Sequence, residues 1–77
     1  MVKHPVMLGR EERVRLALEV PDEVRLSRKD QTVLLFYRKE APMRWTCAVV
    51  KRADTGAFLL TAYPTDAVKE GTRIWPT

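Results

Sequence analysis

Asparagine is absent from this 77-residue chain, and glutamine, histidine and cysteine occur once each. A lone cysteine, Cys47, excludes an internal disulfide framework and a cysteine-built zinc cluster. A lone histidine, His4, leaves no Ser-His-Asp triad unless it folds back onto the rest of the chain. The three glycines form no phosphate-cradling loop. Acidic residues do not cluster at metal-ligand spacing, so neither a metal nor any other cofactor is expected. No apolar run approaches the ~20 residues that span a bilayer, and Met1 to Gly9 has no continuous apolar core of the kind signal peptides carry. With the single cysteine, these absences predict a cytoplasmic protein with no membrane partner.

What is present is the composition of an ordinary globular domain: 45% hydrophobic and 31% charged, with a net charge of +4. The length predicts one domain over 1–77, with an irregular segment at 1–9. A chain this short buries only about 60–65% of its unfolded surface, so any site is expected to be a shallow groove on a sheet face or edge. The positive charge is spread along the chain, with no lysine-rich tail. It fits a solvated mixed-charge surface as well as modest attraction to RNA, DNA or an acidic partner. Arginine outnumbers lysine, a composition that suits a thermophile.

From Arg10 to Val20 the pattern is helical, with Val14, Ala17 and Leu18 on one stripe, Leu16 widening it, and Glu11 and Glu12 in the first turn. Pro21 ends this helix. A short strand is predicted at about 23–27, a turn over Ser27 to Gln31, and strands over Thr32 to Arg38, Arg44 to Arg52 and Ala57 to Tyr63. Lys39 to Met43 reads as a hairpin loop, and Asp54-Thr55-Gly56 as a tight hairpin turn. Thr65 suits a helix N-cap and Gly71 a terminator, predicting a short helix from Asp66 to Glu70. The expected fold is α+β: an N-terminal helix on a four-stranded antiparallel meander, then a C-terminal helical turn. Such a meander predicts that Arg38, Arg44 and Thr61–Tyr63 approach one another, with Lys69 just beyond. Arg28, Lys29, Lys51 and Arg52 gather at the other end. The last strand is expected at an edge, covered by Ile74-Trp75 or by a second copy. Trp45 and Trp75 are expected to pack in the core, as is Cys47.

The side chains left to carry chemistry are Arg, Lys, Tyr and Thr. Metal-free RNA cleavage can be built from these: a base for the 2′-hydroxyl, cations for the phosphorane, and an acid for the leaving oxygen. The same residue types also make an ordinary charged surface over half-buried sheet aromatics.

Phe58-Leu59-Leu60-Thr61-Ala62-Tyr63-Pro64-Thr65-Asp66, followed by Lys69-Glu70-Gly71 and Ile74-Trp75, resembles the C-terminal strand and turn of small phage- and toxin-type domains. These belong to the barnase–EndoU–colicin–RelE class of metal-independent ribonuclease folds. Pro21-Asp22-Glu23-Val24 after a helix and the strand Leu35-Phe36-Tyr37-Arg38 look similar to the same group. The resemblance implies a site on the sheet's concave face. Its catalytic residues would be Arg38, Thr61, Tyr63 and Lys69; the expected closeness of Arg44 to Arg38 adds Arg44, from the residues and not the resemblance, as a phosphate ligand. Many relatives carry a histidine on the N-terminal helix, and here the only histidine is His4, ahead of the predicted helix. The function expected is a toxin-like ribonuclease or a diverged RNA-binding relative. The alternative is a non-catalytic interaction module of a toxin–antitoxin-like or phage-derived pair. The partners expected are accordingly RNA, an antitoxin-like protein or a second copy of the chain.

Overall fold

The computed structural model describes residues 5–68 and 70–76, with the backbone alone over 5–10. One helix, α1 (Pro5–Glu19), precedes five strands: β1 (Glu23–Leu26), β2 (Val33–Ala41), β3 (Arg44–Ala53), β4 (Gly56–Thr65) and β5 (Thr72–Trp75). The strands form one antiparallel sheet in the order β4-β3-β2-β1-β5. The chain is therefore α+β, as expected, but its sheet has five strands rather than four.

The helix begins five residues earlier than the sequence pattern predicts. Proline suits a helix's first turn, because its φ is preset and that turn's N–H groups have no intrahelical partner. Residues 5–9 are thus helical, while 1–4, including His4, lie outside the described residues. Glu11 and Glu12 fall mid-helix, and the dipole stabilisation expected of them is absent. The C-terminal end stops just before Pro21, as Pro21 requires.

β2 runs on through the expected loop to Ala41 and leaves only Pro42-Met43 between it and β3. Asp54-Thr55 makes the expected tight turn from Ala53 to Gly56, which takes a φ of 144°. The expected helix at Asp66–Glu70 is not found: the described residues there form bends. Thr65 is the last residue of β4, and its hydroxyl donates to the Ala67 carbonyl at 3.1 Å instead of capping a helix. Gly71 redirects the chain into β5, which pairs with β1. The Ile74-Trp75 tail therefore lies beside β1 and does not cover β4, and among the described residues β4 and β5 are the two edges of the sheet. Trp75, expected in the core, is 48% exposed.

Strand alternation divides the sheet into two faces. One carries Arg38, Thr46, Ala48 and Val50. α1 packs against β2 and β3 on this side, and Arg38 Nη1 donates to the Val20 carbonyl just past the helix end. The other face carries the cluster Leu35, Tyr37 and Cys47, with Trp45, Val49, Tyr63 and Val68 packed against it. β3 lies between two strands and is buried on both faces, with Cys47 and Ala48 fully enclosed.

Candidate functional site

The face away from the helix holds a groove of about 510 Å³. Val33 and Leu35 of β2 and Val49 of β3 form its apolar floor, and Tyr63 of β4 closes one side. Two loops form the rims. The β1–β2 loop brings Ser27, Arg28 and Lys29, and the bend before β5 brings Glu70 and Gly71.

The cationic rim is built on a braced loop. The Ser27 hydroxyl accepts from the backbone N–H groups of Lys29 and Asp30 at 3.2 and 3.3 Å. Asp30 Oδ1 accepts from the Thr32 N–H and hydroxyl at 2.9 and 2.6 Å. Lys51 Nζ donates to Asp30 Oδ2 at 2.8 Å, and this bond, with those from Thr32, holds the Asp30 carboxyl well below the usual carboxylate range. Side chain–backbone turns of this kind fix a loop without secondary structure. Arg28 and Lys29 are left exposed, and their cationic groups have no partner among the described residues.

The second rim is fixed through Gly71, whose φ is 82° and which lies against Leu26 at the end of β1. Arg25 Nη1 donates to the Gly71 carbonyl at 3.1 Å, while Arg25 Nε donates to Glu23 at 2.6 Å.

Tyr37, Cys47 and Tyr63 stand in one row across β2, β3 and β4. Burial pushes the Tyr37 phenol up to about 12, with the neighbouring Cys47 thiol adding to the shift. Burial, and next the same thiol, push the Tyr63 phenol well above its ordinary value. Burial likewise raises the Cys47 thiol, against the hydrogen bonds of the two phenols. The Glu70 carboxylate adds a smaller push on all three groups, so its charge sits close to the row. A tyrosine held this firmly neutral is a poor proton donor. Tyr63 can offer a ring face and a hydroxyl. Trp45 extends the aromatic floor edge-on to Tyr37, with centroids 6.5 Å apart and Lys39 Nζ over its ring at 5.9 Å.

The residues expected to form a site are divided by the sheet. Thr61 lies opposite Val49 and Tyr63 opposite Cys47, so both are on the grooved face. Arg38 lies opposite Thr46, on the helix face, where it is occupied with Val20. Its Nε is buried without a hydrogen-bond partner. Arg44 lines a separate groove of about 450 Å³ with Arg13, Glu40 and Asp66. The expected approach of Arg38 and Arg44 to Thr61–Tyr63 holds for position along the strands and fails for the face. Side chains alternate, and residue 38 has the parity that points at the helix. Lys69 lies outside the described residues. Among the described residues, the cations that line the groove with Tyr63 are Arg28 and Lys29, from the cluster expected at the other end of the sheet. Glu70 gave no signal, because its segment reads as a helix.

Among the described residues no three His, Cys, Asp or Glu side chains come together to hold a metal, and no helix is long and apolar enough to cross a membrane. No family model, curated protein or solved structure matches the chain. The likeness to ribonuclease-type domains thus rests on the sequence motif alone.

Proposed function

We propose that this chain is a toxin-like, metal-independent ribonuclease, or its diverged RNA-binding relative, with RNA seated in the groove of the open face. One observation carries this reading: an apolar floor and a tyrosine ring share one groove with two cations that have no partner among the described residues, Arg28 and Lys29, and a carboxylate, Glu70. An unstacked base suits the floor and ring, and a phosphate suits the cationic rim. A cytoplasmic setting suits the single free cysteine.

In the catalytic version Glu70 accepts the ribose 2′-hydroxyl proton. The 2′-oxygen then forms its bond to phosphorus, and the bond from phosphorus to the 5′-oxygen breaks. Arg28 and Lys29 stabilise the charge that grows on the phosphorane, and the Lys29 ammonium returns a proton to the leaving oxygen. Thr61 and Tyr63 position the nucleotide.

The test is end-labelled RNA with purified protein in EDTA, beside Glu70→Gln and the double variant Arg28→Ala/Lys29→Ala. A ribonuclease leaves 2′,3′-cyclic phosphate ends, Glu70→Gln binds without cutting, and the double variant binds more weakly and does not cut. Binding without cleavage, weakened in the double variant, identifies the diverged relative. A wild type that neither binds nor cuts at protein levels well above the RNA refutes both.

A further inference from the structure

We propose that β4 is a homodimer interface, in which two copies pair their β4 strands antiparallel about a two-fold axis near Phe58 and join two five-stranded sheets into one of ten. This interaction does not depend on the RNA reading.

The outer edge of β4 pairs with no strand among the described residues, because β5 is added beside β1 at the opposite edge of the sheet; β5 is an edge of only four residues, whereas β4 offers ten. An open edge presents a row of unpaired N–H and C=O groups and is usually guarded by charge, proline or a bulge. β4 has guards at Pro64 and, midway along the strand, at the register irregularity that leaves Leu60 unmatched, whereas Gly56–Leu59 carries none. Its first half is exposed throughout, with Phe58, Leu59 and Leu60 at 53%, 47% and 51%.

Charge selects the occupant. The ten residues Gly56–Thr65 contain no charged side chain, in a chain that is 31% charged and carries +4. A partner chosen by its acidity would find nothing on this strand to read. An identical strand matches it with backbone groups and apolar side chains alone. Antiparallel self-pairing centred on Phe58 sets the ring against its mate, a favourable cross-strand pair. It places Asp54 opposite Ala62 of the second copy, so no acidic side chain meets another. Because the contact is neutral while each copy is cationic, added salt screens repulsion and tightens the dimer. An acidic protein bound elsewhere on the chain would be loosened by salt.

Sedimentation velocity over a range of protein and salt concentrations tests this, with Phe58→Glu and Phe58→Lys examined alone and mixed. Phe58 lies opposite Lys51 within its own sheet, so the glutamate variant is compatible with the monomer fold. The expected wild-type mass is twice the 8.9 kDa of one chain, rising in occupancy with salt. Each variant alone should sediment as a monomer, and mixing the two should restore the dimer by pairing opposite charges across the axis. A wild type that stays monomeric at all concentrations overturns the proposal, as does a mixture that fails to associate. So does a dimer dissolved by Ile74→Glu on β5 but not by Phe58→Glu. If circular dichroism shows either Phe58 variant unfolded, amide exchange on the wild type decides. Concentration-dependent protection within 57–63 supports the pairing, and protection confined to 72–75 overturns it.

Discussion

Arg38 Nη1 donates to the Val20 carbonyl at 2.9 Å, so this arginine secures the end of α1 to the middle of the sheet. A cation at a helix C-terminus also meets the negative end of the macrodipole. Arg38→Ala removes that bond and the packing of its stem, offset in part by removing the buried, unpartnered Nε. The net loss should be about 1 kcal/mol, a fall in Tm of roughly 4–8 °C for a domain of this size. RNA affinity should stay as in the wild type, because Arg38 is on the face away from the groove. Thermal melts paired with a binding titration check both halves. Weakened RNA binding at unchanged Tm would return Arg38 to the site.

The row Tyr37–Cys47–Tyr63 predicts sensitivity to alkali. All three groups are acids whose pKa is raised on folding, so the folded state favours their neutral forms. Stability is therefore fully present below the unfolded values of 9.0 for the thiol and 10.0 for the phenols. It falls as pH rises towards the folded value of about 12 for Tyr37. Each group that the unfolded chain ionises in that window lowers stability by about 1.4 kcal/mol per pH unit. These are the chain's only two tyrosines, so phenolate absorbance reports the row alone. The absorbance should rise together with loss of circular dichroism, in one cooperative step. Phenolate appearing near pH 10 in a still-folded protein would contradict the burial.

Gly71 is required twice over. Its φ of 82° is one that L side chains rarely adopt, and a Cβ there would lie 2.6 Å from the Leu26 carbonyl oxygen. That neighbour is backbone and cannot swing aside. Gly71→Ala should destabilise the fold by about 2 kcal/mol or more, read from the urea midpoint. Gly71→Asn separates the two causes. Asparagine tolerates positive φ but still carries a Cβ, so it should rescue little. Full rescue by asparagine would leave φ as the sole cause.

Met43 sits at a φ of 60° in the two-residue β2–β3 turn, with its side chain 76% exposed. An exposed methionine gains nothing there to offset the left-handed backbone. Met43→Asn should stabilise by about 0.5–1 kcal/mol, since asparagine visits this region readily. A lower urea midpoint for Met43→Asn would mean that methionine makes a contact worth more than the strain.

The sequence reveals those features that depend on local chemistry. Pro21 stops α1, Asp54-Thr55-Gly56 turns β3 into β4, and apolar residues on both faces, Trp45, Cys47 and Val49 on one and Ala48 and Val50 on the other, place β3 inside the sheet. Features that depend on long-range pairing escape it. Thr72–Trp75 is too short to register as a strand, yet the free side of β1 gives it partners 46 to 51 residues away in sequence, and Arg25 holds the Gly71 carbonyl just ahead of it. Position along the sheet could be read for Arg38, but not which face the helix would cover, and that parity separates it from Tyr63. Arg28 and Lys29 were expected as a cluster with Lys51, without the bend at Glu70-Gly71 that makes their loop one wall of a groove.

That wall gives the RNA reading a quantitative consequence. If Arg28 and Lys29 each neutralise one phosphate of a single strand, each contributes about −0.7 to the slope of log affinity against log salt concentration. The double variant Arg28→Ala/Lys29→Ala should flatten the slope by about 1.4 and weaken binding most at low salt. Arg13→Ala/Arg44→Ala, which removes the same charge from the separate groove, should leave the slope as it is. Filter binding of a short oligonucleotide at several salt concentrations distinguishes the two sites. Equal flattening by both pairs would mean that RNA reads only the chain's overall positive charge and that no groove is its site.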